Sequence, residues 1–174
     1  MMLGSCAPPS EIADEPQLQA PVAEAQAKPP DPAPAVYALE SEDDIPTRPT
    51  KILDQTALAR LKANTGLTLQ WLGWDKRGTL KVYEIKDEIW IEGQQGNPEK
   101  DDAFLYVNGL VREIGSDYFI LDGEISIFGT PDAERRCLGK NSQWRFAVTE
   151  NRKYWRLREF EWCDGLTDYV DIYF

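Results

Sequence analysis

From Leu67 to the C-terminus, apolar and polar residues alternate with a period of two, broken by Gly, Asn and Asp. That pattern predicts strands with one face turned to a core. Leu67, Leu69 and Trp71 open a first strand, and Gly73-Trp74-Asp75-Lys76-Arg77-Gly78 turns it. Leu80 and Val82 lie on the next strand, Ile89 and Ile91 on a third, and Gly96 to Asp102 form a polar loop. Ahead of this region the period changes. Leu53, Ala57, Leu58 and Leu61 recur at helical spacing and Asn64-Thr65-Gly66 stops the run, which predicts one helix near 52–64.

Residues 104–128 admit two pairings. Tight turns at Asn108-Gly109 and Asp122-Gly123 would set Leu105 against Arg112 and Phe104 against Glu113, mixing polar and apolar side chains on each face. A single turn at Gly115-Ser116-Asp117 instead sets Val111 opposite Leu121, Val107 opposite Ile125 and Leu105 opposite Ile127. One face then becomes almost wholly apolar. The second pairing is preferred because register follows the buried face. It also pairs Gly109 with Gly123 in mid-strand, the mark of a sharply bent sheet. A further hairpin turns at Asn151-Arg152 and brings Phe146 to Leu157 and Val148 to Trp155. Residues 169–174 make the last strand. The sum is a mainly β domain, a small antiparallel β-barrel of about seven or eight strands with one N-terminal helix; a β-sandwich is the alternative.

Composition divides the chain near residue 50. The first 50 residues contain most of the prolines and a single aromatic, Tyr37, and their acids far outnumber Lys28 and Arg48. Such a segment cannot offset the entropy of ordering itself. Residues 7–50 are therefore expected to be a disordered, acidic Pro/Ala-rich tether, and residues 51–174 the folded β domain. The whole chain carries a formal charge of -11, which argues against nucleic acid as a partner because phosphate binding needs a cationic face. It has no histidine, so Ser-His and Cys-His catalytic pairs and His-ligated zinc are excluded.

Three cysteines occur. Cys6 follows Leu3-Gly4-Ser5, and this quartet resembles the lipobox of bacterial lipoproteins. The resemblance implies that residues 1–6 are the remnant of a signal peptide and that Cys6 carries lipid. It further implies a membrane anchor in the bacterial envelope, with Ala7 after the cysteine suggesting the outer membrane, facing the periplasm. Only Met1 and Met2 precede Leu3, so the charged and apolar parts of a signal peptide are missing from this sequence. A chain that truly starts at Met1 would stay in the cytoplasm with Cys6 a plain thiol. Cys137 and Cys163 remain as a pair, and in an exported protein a pair reads as a disulfide.

Candidate chemistry is sparse. On the hairpin 143–160, Arg145, Arg156 and Arg158 with Tyr154 form a cationic strip. It would either be neutralised internally by Glu161, Asp168 or Asp171, or hold a phosphate or carboxylate in forked geometry. Six tryptophans fall in the folded part. Trp71, Trp144 and Trp155 share faces with Leu and Val and are expected in the core, whereas Trp74 sits in a turn and is the candidate interaction residue. Neighbouring acids such as Asp101-Asp102, or Asp164 with Asp168, lack the set separation of a hydrolase pair, and Glu99, Asp101 and Asp102 lack the spacing of a calcium loop. No phosphate loop, dinucleotide fingerprint or nucleophile elbow is present. The expectation is a non-enzymatic envelope lipoprotein without cofactor or metal, binding a protein partner or an anionic glycan or lipid. In outline the domain is also similar to small lipoprotein barrels that block lysozyme, although none of their motif residues occur here. An inhibitor of a secreted hydrolase is therefore the alternative.

Overall fold

Strands β5 (Phe104–Ile114) and β6 (Tyr118–Phe128) form the central hairpin. Their register sets Leu105 against Ile127, Val107 against Ile125, Gly109 against Gly123 and Val111 against Leu121, as the buried-face argument required. The computed structural model describes residues 48–96 and 101–174, all within the compact unit Ser41–Phe174. The lipobox with Cys6, nearly all of the expected tether and part of the 96–102 loop lie outside the described residues.

Among the described residues there are nine strands and one α-helix: β1 (Lys51–Ile52), α1 (Gln55–Lys62), β2 (Leu67–Leu69), β3 (Thr79–Ile85), β4 (Glu88–Gln95), β5, β6, β7 (Arg136–Ala147), β8 (Tyr154–Leu157) and β9 (Val170–Tyr173). Eight of them follow one antiparallel path, β2-β9-β8-β7-β6-β5-β4-β3. The path nearly closes on itself, because the Gly78 N–H donates to the Leu67 carbonyl at 2.8 Å. Gly93 lies at this seam. A Cβ there would stand 2.5 Å from a Leu80 methyl and 2.8 Å from a Leu67 methyl, so the missing side chain makes room for these two leucines where β2, β3 and β4 converge. The result is a nearly closed barrel whose inward positions are apolar: Ile91, Leu105, Val107, Leu121, Ile125, Phe146, Trp155, Leu157 and Ile172 are fully buried. Phe119 and Phe146 stack at 4.8 Å with Trp155 edge-on to Phe119 at 5.7 Å, an arrangement that adds to simple area burial.

The paired glycines leave no room for a side chain against the facing backbone of β5 and β6. A Cβ at Gly123 would lie 2.1 Å from the Asn108 carbonyl, and one at Gly109 would lie 2.5 Å from the Asp122 carbonyl. The helix is shorter than the 52–64 expected. Asp54 caps it by accepting from the Ala57 N–H at 2.7 Å, so Leu53 stands outside it and exposed. Ala57, Leu58 and Leu61 pack into the same core as the strands.

The two-residue β1 is a parallel addition that alternation did not predict. It pairs with β5 where a bulge shifts the register between Val111 and Glu113. Thr50, just before β1, bridges the disturbed ladder there: its hydroxyl donates to the Val111 carbonyl at 2.6 Å and accepts from the Ile89 N–H at 2.8 Å. Trp71 also departs from expectation. Gln70 to Leu72 form a 3-10 turn that ends the strand, and Trp71 is 39% exposed instead of buried in the core. Trp144 and Trp155 are buried as expected.

Candidate functional site

The turn that carries Trp74 is held by a buried side chain from another strand. Gln95, at the end of β4, accepts from the Leu69 N–H at 2.6 Å and donates to the Gly73 and Lys76 carbonyls at 2.9 and 2.8 Å. Both of its amide donors are directed at the loop, and its carbonyl oxygen at the barrel seam. The backbone on both sides of Trp74 is thus fixed while its indole stays 43% exposed.

Beneath Trp74 lies the outer face of β8 and β9. Here Tyr154 is paired with Tyr173 and Arg156 with Asp171 across the strands. The Arg156 fork meets Asp171 through two bonds of 2.7 Å. The same guanidinium lies 4.0 Å from the Tyr169 ring, 5.2 Å from Tyr154 and 5.7 Å from Trp74. Arg77 caps the far end, 3.8 Å over Tyr173. Each such cation–ring contact stabilises by about 0.5–1 kcal/mol at an exposed site. The hydrogen bonds that Arg156 donates to Asp171 raise the Arg156 pKa, so it stays charged, whereas burial pushes the Asp171 carboxyl up against the pull of Arg156. Burial likewise raises the Tyr173 phenol.

A second network anchors the adjoining loop 158–169. Arg135 is buried and holds Asp164 through two bonds of 2.8 Å and Asp168 through two more. Asp168 also accepts from the Trp71 indole N–H at 3.0 Å. Gln70 donates to the Thr167 carbonyl and accepts from the Tyr169 N–H. The hydrogen bonds from Arg135 pull the Asp164 pKa down to about 2. This network sets the height of Tyr169 beneath Arg156.

The residues singled out by sequence therefore part company. Trp74, Tyr154 and Arg156 are brought together in one face. Arg145 stands apart, exposed, 4.0 Å over the Tyr118 ring, and its backbone N–H donates to Glu159 at 2.9 Å. Arg158 is exposed beside Phe160. Its N–H donates to the Arg145 carbonyl, so the two arginines are cross-strand neighbours as expected. Among the named internal carboxylates it is Asp171 that fills the Arg156 fork, which leaves Arg145 and Arg158 as the strip's outward charges. Cys137 and Cys163 form a disulfide with Cα atoms 5.8 Å apart, tying β7 to the 158–169 loop. Gln95 and Arg135 went unnoticed in the sequence, and Asp168, named there as a carboxylate for the strip, serves Arg135 instead. The signal that pointed to Gln95 was a polar residue at an inward position of an otherwise apolar strand, β4.

The PM1083 family matches residues 49–174, nearly the whole described region. The chain is also similar to "Uncharacterized protein PM1083" of Pasteurella multocida (strain Pm70), with 32% identity over 107 residues, 61% of this chain and 68% of that protein. No solved structure matches it.

Proposed function

The chain belongs to the PM1083 family, and from that premise and the geometry above we propose a non-enzymatic lipoprotein of the bacterial envelope. Cys6 anchors it to the membrane, and the β domain docks a protein partner in the periplasm through the Trp74–Tyr154–Arg156 face. The observation that carries this reading is an indole left open to solvent on a loop whose backbone Gln95 pins on both sides. Tyr, Trp and Arg are the residue types that dominate binding energy at protein interfaces. Holding them in place before the partner arrives reduces the entropy lost on association. The matching surface would offer apolar side chains with a carboxylate at the edge, which the exposed Arg77 would meet.

An anionic glycan or lipid is the second reading, favoured by the exposed guanidiniums of Arg145 and Arg158. A photo-crosslinking residue at position 74, and separately at 145, installed in the full-length protein in its native host, tests both. The expected result is a discrete protein adduct from position 74 that Tyr154→Ala abolishes. Adducts confined to position 145 and carrying lipid or glycan would replace the first reading with the second. Absence of lipid on Cys6 by intact mass would remove the anchor.

A further inference from the structure

A recess lies on the outer face of the barrel, lined by residues of β4 to β7 and not by Trp74. It forms where Gly109 and Gly123 bring β5 and β6 close, and has a volume of about 440 Å³. Its sides are Trp90, Asn108, Asp122, Glu124, Lys140 and Asn141. Lys140 and Asn141 are shared with an adjoining groove of about 660 Å³ that runs to Trp162. Sites for small molecules span roughly 300–1,000 Å³, so the two together accommodate an elongated ligand. The far end is built deliberately: the Trp162 ring rests on Gly139, where a Cβ would lie 2.6 Å from it, and meets Trp144 edge-on at 5.4 Å. Cys163, next to Trp162, is bonded to Cys137 two residues before Gly139, so the disulfide holds that indole in place.

The polar groups of the recess identify the ligand's chemistry. Its charges are balanced within the protein, Arg48 with Asp122 at 3.0 Å and Lys140 with Glu124 at 3.6 Å. The adjoining groove adds one cation and one carboxylate, Arg136 and Glu159, so the lining offers an incoming ion no excess of either sign. What remains is a pair of side-chain amides, of which Asn141 already accepts from the Gln143 N–H at 3.0 Å, carboxylate oxygens with further lone pairs, and a half-buried indole at each end. Indole faces pack against the C–H faces of sugar rings, and amides and carboxylates bond their hydroxyls. We propose that this groove binds an uncharged oligosaccharide, with Trp90 stacking on one ring and Asn108 and Asn141 bonding its hydroxyls.

This site is separate from the face assigned to the protein partner and does not depend on lipidation. The test is titration of the purified full-length protein with two neutral tetrasaccharides, one of N-acetylglucosamine and one of plain glucose. Binding is followed by calorimetry at low and at high salt. At least one sugar is expected to bind, with affinity changed less than twofold by salt. Trp90→Ala is expected to lower that affinity at least tenfold, Trp90→Phe to keep it within about threefold, and Trp74→Ala to leave it unchanged. Asn141→Ala, a milder change should Trp90→Ala fail to fold, is expected to cost about tenfold. The arms distinguish an acetylated from a plain glycan. No binding of either sugar at millimolar concentration, binding indifferent to both the Trp90 and Asn141 changes, or binding lost in Trp74→Ala would each overturn the proposal.

Discussion

The two halves of the barrel wall are held together by different forces. From β4 to β7 the strands are long, their ladders extensive, and the inward side chains almost entirely apolar. From β8 through β9 to β2 the pairings are only two or three residues long. There the structure relies on individual polar side chains and one covalent link: Gln95 at the seam, Arg135 under the 158–169 loop, Arg156 on Asp171, and the disulfide. Backbone ladders distribute stability over many bonds, whereas a side-chain clamp concentrates it in one group. The proposed docking face sits entirely on the clamped half.

The most damaging way to break that half is Arg135→Ala, which leaves Asp168 buried without its cation. A loss of about 3–5 kcal/mol is expected, read as a lower urea midpoint. Replacing Asp164 alone, at the exposed end of the same network, should cost much less, and equal losses would contradict the distinction. Next comes the disulfide. Closing a loop of this length is worth about 3.5 kcal/mol in the entropic account, so the Cys137→Ser, Cys163→Ser pair should lower the urea midpoint by a corresponding amount. In hydrogen exchange, the 158–169 loop should lose protection while the β5–β6 ladder keeps it.

Gln95→Leu should cost about 1–3 kcal/mol by leaving the Leu69 N–H and two loop carbonyls without partners. Its sharper readout is faster exchange of residues 70–78 and weaker partner binding with the barrel intact. The mildest effect concerns pH. Asp164 is held at about 2, below its ordinary value of 3.8. A carboxyl whose pKa falls on folding contributes stability above its unfolded pKa and loses it as pH drops through the folded one. The Arg135–Asp164 link should therefore weaken between about pH 4 and pH 2 in the wild type. Asp164→Asn should flatten that part of the acid-unfolding curve.

The sequence was most legible where many residues vote together. The β5–β6 register was readable because a one-residue slip would turn Leu105, Val107, Val111, Leu121, Ile125 and Ile127 outward at once. Trp74 was readable as an exposed loop residue because glycines flank its turn. Trp71 misled because alternation runs through Leu67, Leu69 and Trp71 without a break. What ends the strand is Gln70 bonding the backbone at Thr167 and Tyr169, nearly a hundred residues away. The arginine strip was recognisable as needing carboxylates, yet nothing local said that Asp171 would serve Arg156 alone and that Arg145 would stack on Tyr118.

By itself, then, the order of residues determined the long strands, the pairing of Gly109 with Gly123, the hairpin registers and the pairing of two cysteines. These rest on periodicity and on burying one face, which are properties of neighbours along the chain. Tertiary structure alone decided that β2 would meet β3 to close the barrel, that Gln95 would pin the Trp74 loop, and that four rings and two arginines would gather on one face. Each of those depends on a single contact between distant segments, and one polar side chain leaves no periodic trace by which its partner can be found.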